Sequence, residues 1–311
     1  MACSRLIRFA VQLSEAPSGE DWTRLARRME SLGYSGISMP DHLWAQLAPI
    51  PALAAVAVAT SRPRITMAVL ANDFRNPVLL AKEAATLDVL SGGRLDLGMG
   101  AGWREEEYRQ AGIRFDRPST RIARLVEAVT IIKRLLEGEC VTFHGEHYDV
   151  DNYQLTPVPV QRPRPRIMLG GGAPVMLAAA ARHADIVSIA TDNRHRTGRG
   201  QNANATLAAV EQATRWIAEA APDRTGHLEL NIRVLHINIG ADGPAVAAQS
   251  ASTFGLPADE VARSPFCAVG TERQVADHFR SVRDRLGISY FTVSASAAEA
   301  LAPVVARLTG T

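Results

Sequence analysis

The chain has 311 residues, too long for a small sandwich and suited to one α/β barrel, a fold that takes ~250 residues or somewhat more. Hydrophobic residues make up 47% and charged residues 21%, a balance that supplies a large apolar core and excludes a disordered chain. The 34 basic and 32 acidic residues leave a net charge of +2 spread along the sequence, which gives no electrostatic footprint for a nucleic-acid partner.

The opening Met1-Ala2-Cys3-Ser4-Arg5 runs into an apolar stretch too short and too polar for a signal peptide. No stretch approaches the ~20 apolar residues of a membrane span. Cys3, Cys140 and Cys267 are odd in number and form no CxxC pair, so neither a disulfide framework nor a zinc knuckle is expected. The expected compartment is the cytoplasm.

Residues 6–13 read as a first strand, and 21–32 as an amphipathic helix closed by Gly33. A second strand covers 34–39, an apolar helix 51–59 and a third strand 64–70. Pro77 opens a helix that runs to Leu90, since a first-turn residue needs no amide hydrogen there, and a fourth strand follows over 94–99. The long helix 117–137 carries Ile122, Leu125, Val129, Ile132 and Leu136 at helical spacing. Residues 139–165 break the rhythm and read as a hairpin with a proline-rich return, inserted within a single domain that covers 1–311. Alternation resumes with strand 166–169, helix 174–182, strand 185–189, helix 204–220 and strand 229–239. After a less regular stretch come helix 271–286, strand 290–294 and a last helix to Leu308.

Eight strands in strict alternation with helices predict a (β/α)8 TIM barrel; a doubly wound open sheet of eight strands with no second domain would be unusual. In a barrel, chemistry sits on the loops after the strand C-terminal ends, so topology selects the residues to inspect.

After the second strand, Pro40-Asp41-His42-Leu43-Trp44 brings an acid and an imidazole beside an indole. Histidine titrates near neutrality and serves as acid, base or hydrogen-bond donor; the plainer reading is a structural loop with Asp41 as a local cap. After the third strand, Ala68-Val69-Leu70-Ala71-Asn72 mixes small and amide groups and forms either a bulge against which a flat ring packs or a polar loop. After the fourth, Gly98-Met99-Gly100-Ala101-Gly102-Trp103 allows close approach to the backbone but does not meet the spacing of a dinucleotide fingerprint. Most of the charges of Glu105-Glu106-Glu107 are expected to be solvated.

Gly170-Gly171-Gly172 opens directly into a helix, where free amide groups and the positive helix end make an anion site; a flexible turn is the other reading. The basic loop 193–199 contains Arg194 and Arg196 and reads either as a solvated cluster or as a partner for an anion. His144 and His147 lie in the hairpin, away from the strand ends and without a third ligand, so no metal is expected.

Taken together, these stretches resemble the luciferase-like monooxygenase superfamily, and within it the oxidoreductases that use the deazaflavin coenzyme F420. The resemblance covers nearly the whole chain. Its carriers are Pro40-Asp41-His42, Asn76-Pro77 with Leu80 to Arg94, Leu97 to Trp103, Gly170-Gly171-Gly172 and Val269-Gly270-Thr271. The part from Ser91 to Trp103 is highly specific for the superfamily and much less so for the cofactor.

The resemblance implies a barrel with a hairpin insertion, commonly dimeric, that binds a flavin-type cofactor at its mouth. It implies a non-proline cis peptide at Ala68-Val69 behind the ring, with Ala71, Asn72, Gly100 and Gly102 around it and Asp41 placing the loop or a cofactor hydroxyl. It makes His42 the catalytic proton partner, Gly170, Gly171 and Gly172 the phosphate site, and Arg194 or Arg196 the contact to an acidic tail. Gln12, Trp44 and Trp103 are the expected substrate contacts. Trp103 stands where the sugar-phosphate dehydrogenases of this group carry a catalytic glutamate, which counts against glucose-6-phosphate oxidation.

Three functions follow for comparison: hydride transfer between F420 and an activated C=C or C=N bond of a small molecule, a reduced-FMN monooxygenase, and a silent flavin-binding barrel. The basic loop favours the first, because the oligoglutamate tail of F420 needs positive partners that FMN does not. No motif identifies the substrate.

Overall fold

The computed structural model describes residues 5–191, 202, 204–240 and 243–311. The first half of the chain runs β1 (Arg8–Gln12), α1 (Gly19–Ser31), β2 (Gly36–Met39), α2 (Pro49–Ala59), β3 (Arg64–Met67), β4 (Leu70–Ala71), α3 (Pro77–Leu90) and β5 (Leu95–Gly100). Local chemistry accounts for the helix ends. Ser18 caps α1 by accepting from the Asp21 amide, and Asn76 caps α3 by accepting from Val78 and Leu79, with Pro77 in its first turn.

The chain continues through α4 (Glu105–Gln110), α5 (Pro118–Leu136), β6 (Cys140–His144), β7 (Asp149–Gln154), β8 (Arg166–Gly171), α6 (Pro174–His183) and β9 (Ile186–Ile189). It closes with α7 (Leu207–Ala220), β10 (Glu229–Arg233), β11 (His236–Ile239), α8 (Gly243–Phe254), α9 (Ala258–Arg263), β12 (Cys267–Gly270), α10 (Glu272–Leu286), β13 (Ile288–Ser294) and α11 (Ala295–Leu308).

Eight parallel strands follow one another in the order β3-β2-β1-β13-β10-β9-β8-β5, and β5 pairs back on β3. The sheet therefore closes on itself as the expected TIM barrel, with β6 and β7 forming a separate antiparallel hairpin. Side chains alternate along each strand. On β1, Phe9 packs outward against Phe279 of α10, whereas Ala10 joins Met168, Ile186 and Tyr290 in a small cluster with Ala68 and Val69.

Two departures from the expected strands matter for the site. The third strand stops at Met67, passes through a cis peptide at Ala68-Val69 and resumes as β4, which pairs with Met99 and Gly100 of β5. The glycines of β5 make room for this path: a Cβ at Gly98 would collide with the Met67 carbonyl, and one at Gly100 would lie 2.9 Å from Val69 Cγ2. The alternating glycines thus serve a neighbouring strand, a reason the sequence pattern did not disclose.

The segment 229–239 is two strands, not the single one expected. β10 stays in the barrel, while β11 leaves it to pair in parallel with β12, itself unforeseen. Both halves are rich in β-branched and apolar residues, and no glycine or proline marks the bend at Val234-Leu235.

The N-terminal ends of the strands are closed by charge. Asp96 is fully buried and receives Arg64 at 2.5 Å and Arg166 at 2.9 Å, while Glu229 receives Arg8 at 2.6 Å and Arg166 at 2.9 Å. The Arg8 guanidinium lies 3.4 Å over the Tyr290 ring. Burial opposes the charge of Asp96, but Arg166 and Arg64 outweigh it and hold the carboxyl below its usual range; Arg8 does the same for Glu229.

Candidate active site

At the opposite end, the strand C-termini surround a cavity of about 460 Å³, within the range of small-molecule sites. His42 follows β2 and projects into its wall. Its Nδ1 lies 3.0 and 3.2 Å from the two carboxylate oxygens of Glu107. A carboxylate only accepts, so Nδ1 donates to Glu107, and Nε2 becomes the ring atom that takes up or releases a proton. The ring stacks on Trp44 with centroids 3.8 Å apart, and Trp103 meets it edge-on at 5.8 Å. Arg104 covers Trp44 at 4.5 Å.

Glu107 is the main residue missed from sequence. It is buried in the short helix α4, while Glu105 and Glu106 are exposed, as expected for most of that run. Three consecutive glutamates look alike in sequence; only the turn of α4 that buries Tyr108 brings the third one inward.

Asp41 is spent on structure as well as on the wall. Its oxygens accept from Arg75 at 2.5 and 3.1 Å, and one also accepts from the Ala71 amide at 3.0 Å. The pair ties the loop after β2 to the segment after β4 and so sets where His42 stands. Of the two roles foreseen for Asp41, the positioning one has visible contacts.

Gln12, Ala68, Val69, Ala71, Gly100, Gly102, Trp103, Gly170, Gly171 and Gly172 all line this same cavity. Asn72 does not: its side chain is buried behind the wall and donates to Tyr148 of the hairpin at 3.1 Å. That contact corrects one expectation, because it brings the hairpin turn against the end of the third strand instead of leaving it away from the strand ends. Trp44 holds His42 rather than lining the cavity. Arg194 and Arg196 lie outside the described residues.

The glycine loop ends β8 and enters α6 through Ala173-Pro174, and no side chain caps that helix. A Cβ on Gly172 would press on the Ala190 carbonyl at 2.5 Å, so the loop lies tight against the end of β9. Arg233 closes β10 and also lines the cavity. Merging 229–239 into one strand hid that this arginine stands at a strand C-terminus.

An F420-dependent glucose-6-phosphate dehydrogenase of Amycolatopsis mediterranei is 33% identical over 177 residues, covering 53% of this chain and 51% of the relative. An FMNH(2)-dependent dimethylsulfone monooxygenase of Pseudomonas putida is 32% identical over 131 residues, covering 42% of this chain and 36% of the relative. The chain thus spans about half or less of the length of these relatives. The coenzyme F420-dependent tetrahydromethanopterin reductase of Methanopyrus kandleri superposes with a TM-score of 0.76 over 98% of this chain and 99% of that one, and at 18% identity it shares the fold. The family model described as luciferase-like monooxygenase matches residues 3–221, and the chain belongs to that family.

Proposed function

We propose that the protein is an F420-dependent oxidoreductase that moves a hydride between the deazaflavin and a small organic substrate with an activated C=C or C=N bond. The observation that carries this reading is the pairing of His42 with Glu107 in a cavity whose other wall includes Ala68-Val69. The cofactor, when bound, supplies the hydride chemistry. The chain supplies orientation and the proton. Glu107 holds the imidazole in one tautomer, Asp41 and Arg75 hold the loop that carries it, and Nε2 is the atom that exchanges a proton with the substrate.

The wall fits a flat ring. Gly98, Gly100 and Gly170 lack the side chains that would push Val69 out of place, so Val69 and Ala68 present a small apolar surface to the cavity. The helix end at Gly171-Gly172 suits a phosphate, since its first amides have no side-chain cap.

The dimethylsulfone monooxygenase relative favours a second reading, in which FMN takes the same place. Separate titrations of the purified protein with F420 and with FMN decide between them. Micromolar F420 binding is expected; FMN binding in that range with no F420 binding would overturn the first reading.

We also propose a homodimer formed through α2 and α3, because Val58, Leu79 and Leu90 on these adjacent helices are 76, 62 and 53% exposed. Sedimentation of the V58E variant as a monomer, with a wild-type dimer, is the expected result. A monomeric wild type at micromolar concentration would refute it.

A further inference from the structure

The closed strand order decides which walls of the cavity face each other. From β3, the strand β10 is four steps away in either direction around the barrel, so the end of β10 lies across the mouth from Ala68-Val69. Arg233 occupies that end. It lines the cavity, is accessible to solvent there and, among the described residues, makes no hydrogen bond or ion pair.

Its situation differs from that of the arginines at the strand N-termini and around the barrel mouth. Arg8, Arg64 and Arg166 are paired with buried carboxylates, and Arg75 is paired with Asp41. Within the cavity wall, Arg104 meets Glu106 at 3.0 Å and Arg121 donates to the Gly102 carbonyl at 3.1 Å. Among the described residues Arg233 has no such partner, and desolvation by the surrounding protein lowers its pKa. An arginine stays protonated in proteins, so this site presents to the cavity a positive charge that an oxyanion would meet through paired hydrogen bonds.

We propose that Arg233 anchors an oxyanion of the substrate, a carboxylate, phosphate or sulfonate, and holds that substrate across the cavity from Ala68-Val69. This deepens the reading of the cavity as an active site and rests on it. The other source of an oxyanion is the phosphate of the cofactor. The glycine loop that suits that phosphate follows β8, two strands from β10, and a ring laid against Val69 leaves Arg233 on the opposite wall.

The test is calorimetric titration of inorganic phosphate into wild type, R233Q and R233K at an ionic strength fixed with chloride. It is run on protein saturated with whichever of F420 or FMN it takes up, and again on unloaded protein. In both states R233Q is expected to weaken phosphate binding about tenfold or more, and R233K less, because lysine keeps the charge but loses the planar fork. The cofactor dissociation constant should stay within about twofold of wild type, as expected for a residue that does not touch it. Unchanged phosphate binding in R233Q would sink the proposal. So would a roughly tenfold loss of cofactor affinity, which would give the anion to the cofactor. If R233Q does not fold, R233K decides, since phosphate binding equal to wild type overturns the assignment. Protein that takes up neither cofactor would defeat the hydride-transfer reading alone, and the unloaded titration would still decide the anion site.

Discussion

The two ends of the barrel use charge in opposite ways. At the N-terminal ends of the strands, Arg8, Arg64 and Arg166 are matched against Asp96 and Glu229, and every one of these groups is paired. At the C-terminal ends, His42 is held by Glu107 and Arg233 faces a cavity. Buried charge that is paired with its opposite locks strands together; charge placed at a cavity wall is available to a ligand. The same residue types thus lock strands at one end and, under the proposed function, take part in chemistry at the other.

Substitutions at the two ends should separate these roles. The largest effect on turnover is expected for His42→Ala, which should lower it about 10²- to 10⁴-fold, the usual contribution of a positioned acid or base, while costing about 1–3 kcal/mol of unfolding free energy because Glu107 loses its donor. Unchanged turnover would show that the imidazole has no part in the reaction.

Asp96→Asn should do the reverse. Removing one partner of a buried ion cluster costs about 3–5 kcal/mol of stability, measured by denaturant unfolding. The wild type should also lose stability in acid. Asp96 and Glu229 have folded pKa values below those of the unfolded chain, so their contribution is present above about pH 4 and is lost as pH falls through the folded values. Asp96→Asn should flatten this acid dependence. A variant as stable as wild type, with the same acid profile, would mean that the floor cluster is not what closes the barrel.

The smallest effect is expected for Glu107→Gln, which keeps the size of the side chain and a hydrogen-bond acceptor but loses the charge. Turnover should fall about tenfold with the Michaelis constant and cofactor affinity little changed, because the residue acts through His42. Loss of cofactor affinity with turnover intact would place Glu107 in binding instead.

The strand ends that carry the site were legible because hydrophobic alternation located them and topology then named their next residues. Asp41-His42 falls just after β2, and the glycine run forms the end of β8, with Gly172 just beyond it. The contact of Asn72 with the hairpin was not legible: the residue follows β4 in sequence, and a 3-10 turn brings its side chain to Tyr148. Glu107 and Arg233 escaped because nothing local distinguishes an inward glutamate among three, or a strand end from a strand middle.

The order of apolar and polar residues, with its caps and turn residues, was sufficient for eight βα repeats and so for a barrel with a defined active face. Local periodicity decides such features, and each strand or helix expresses it within a few residues. Which residues meet across that face was decided by closure of the barrel alone. The contacts of His42 with Glu107 and of Asp41 with Arg75 join segments 65 and 34 residues apart, and Arg233 is opposed to Ala68-Val69 only because β3 pairs with β5. Such juxtapositions carry no local signature, since their energies come from packing between distant strands and not from the propensities of either one.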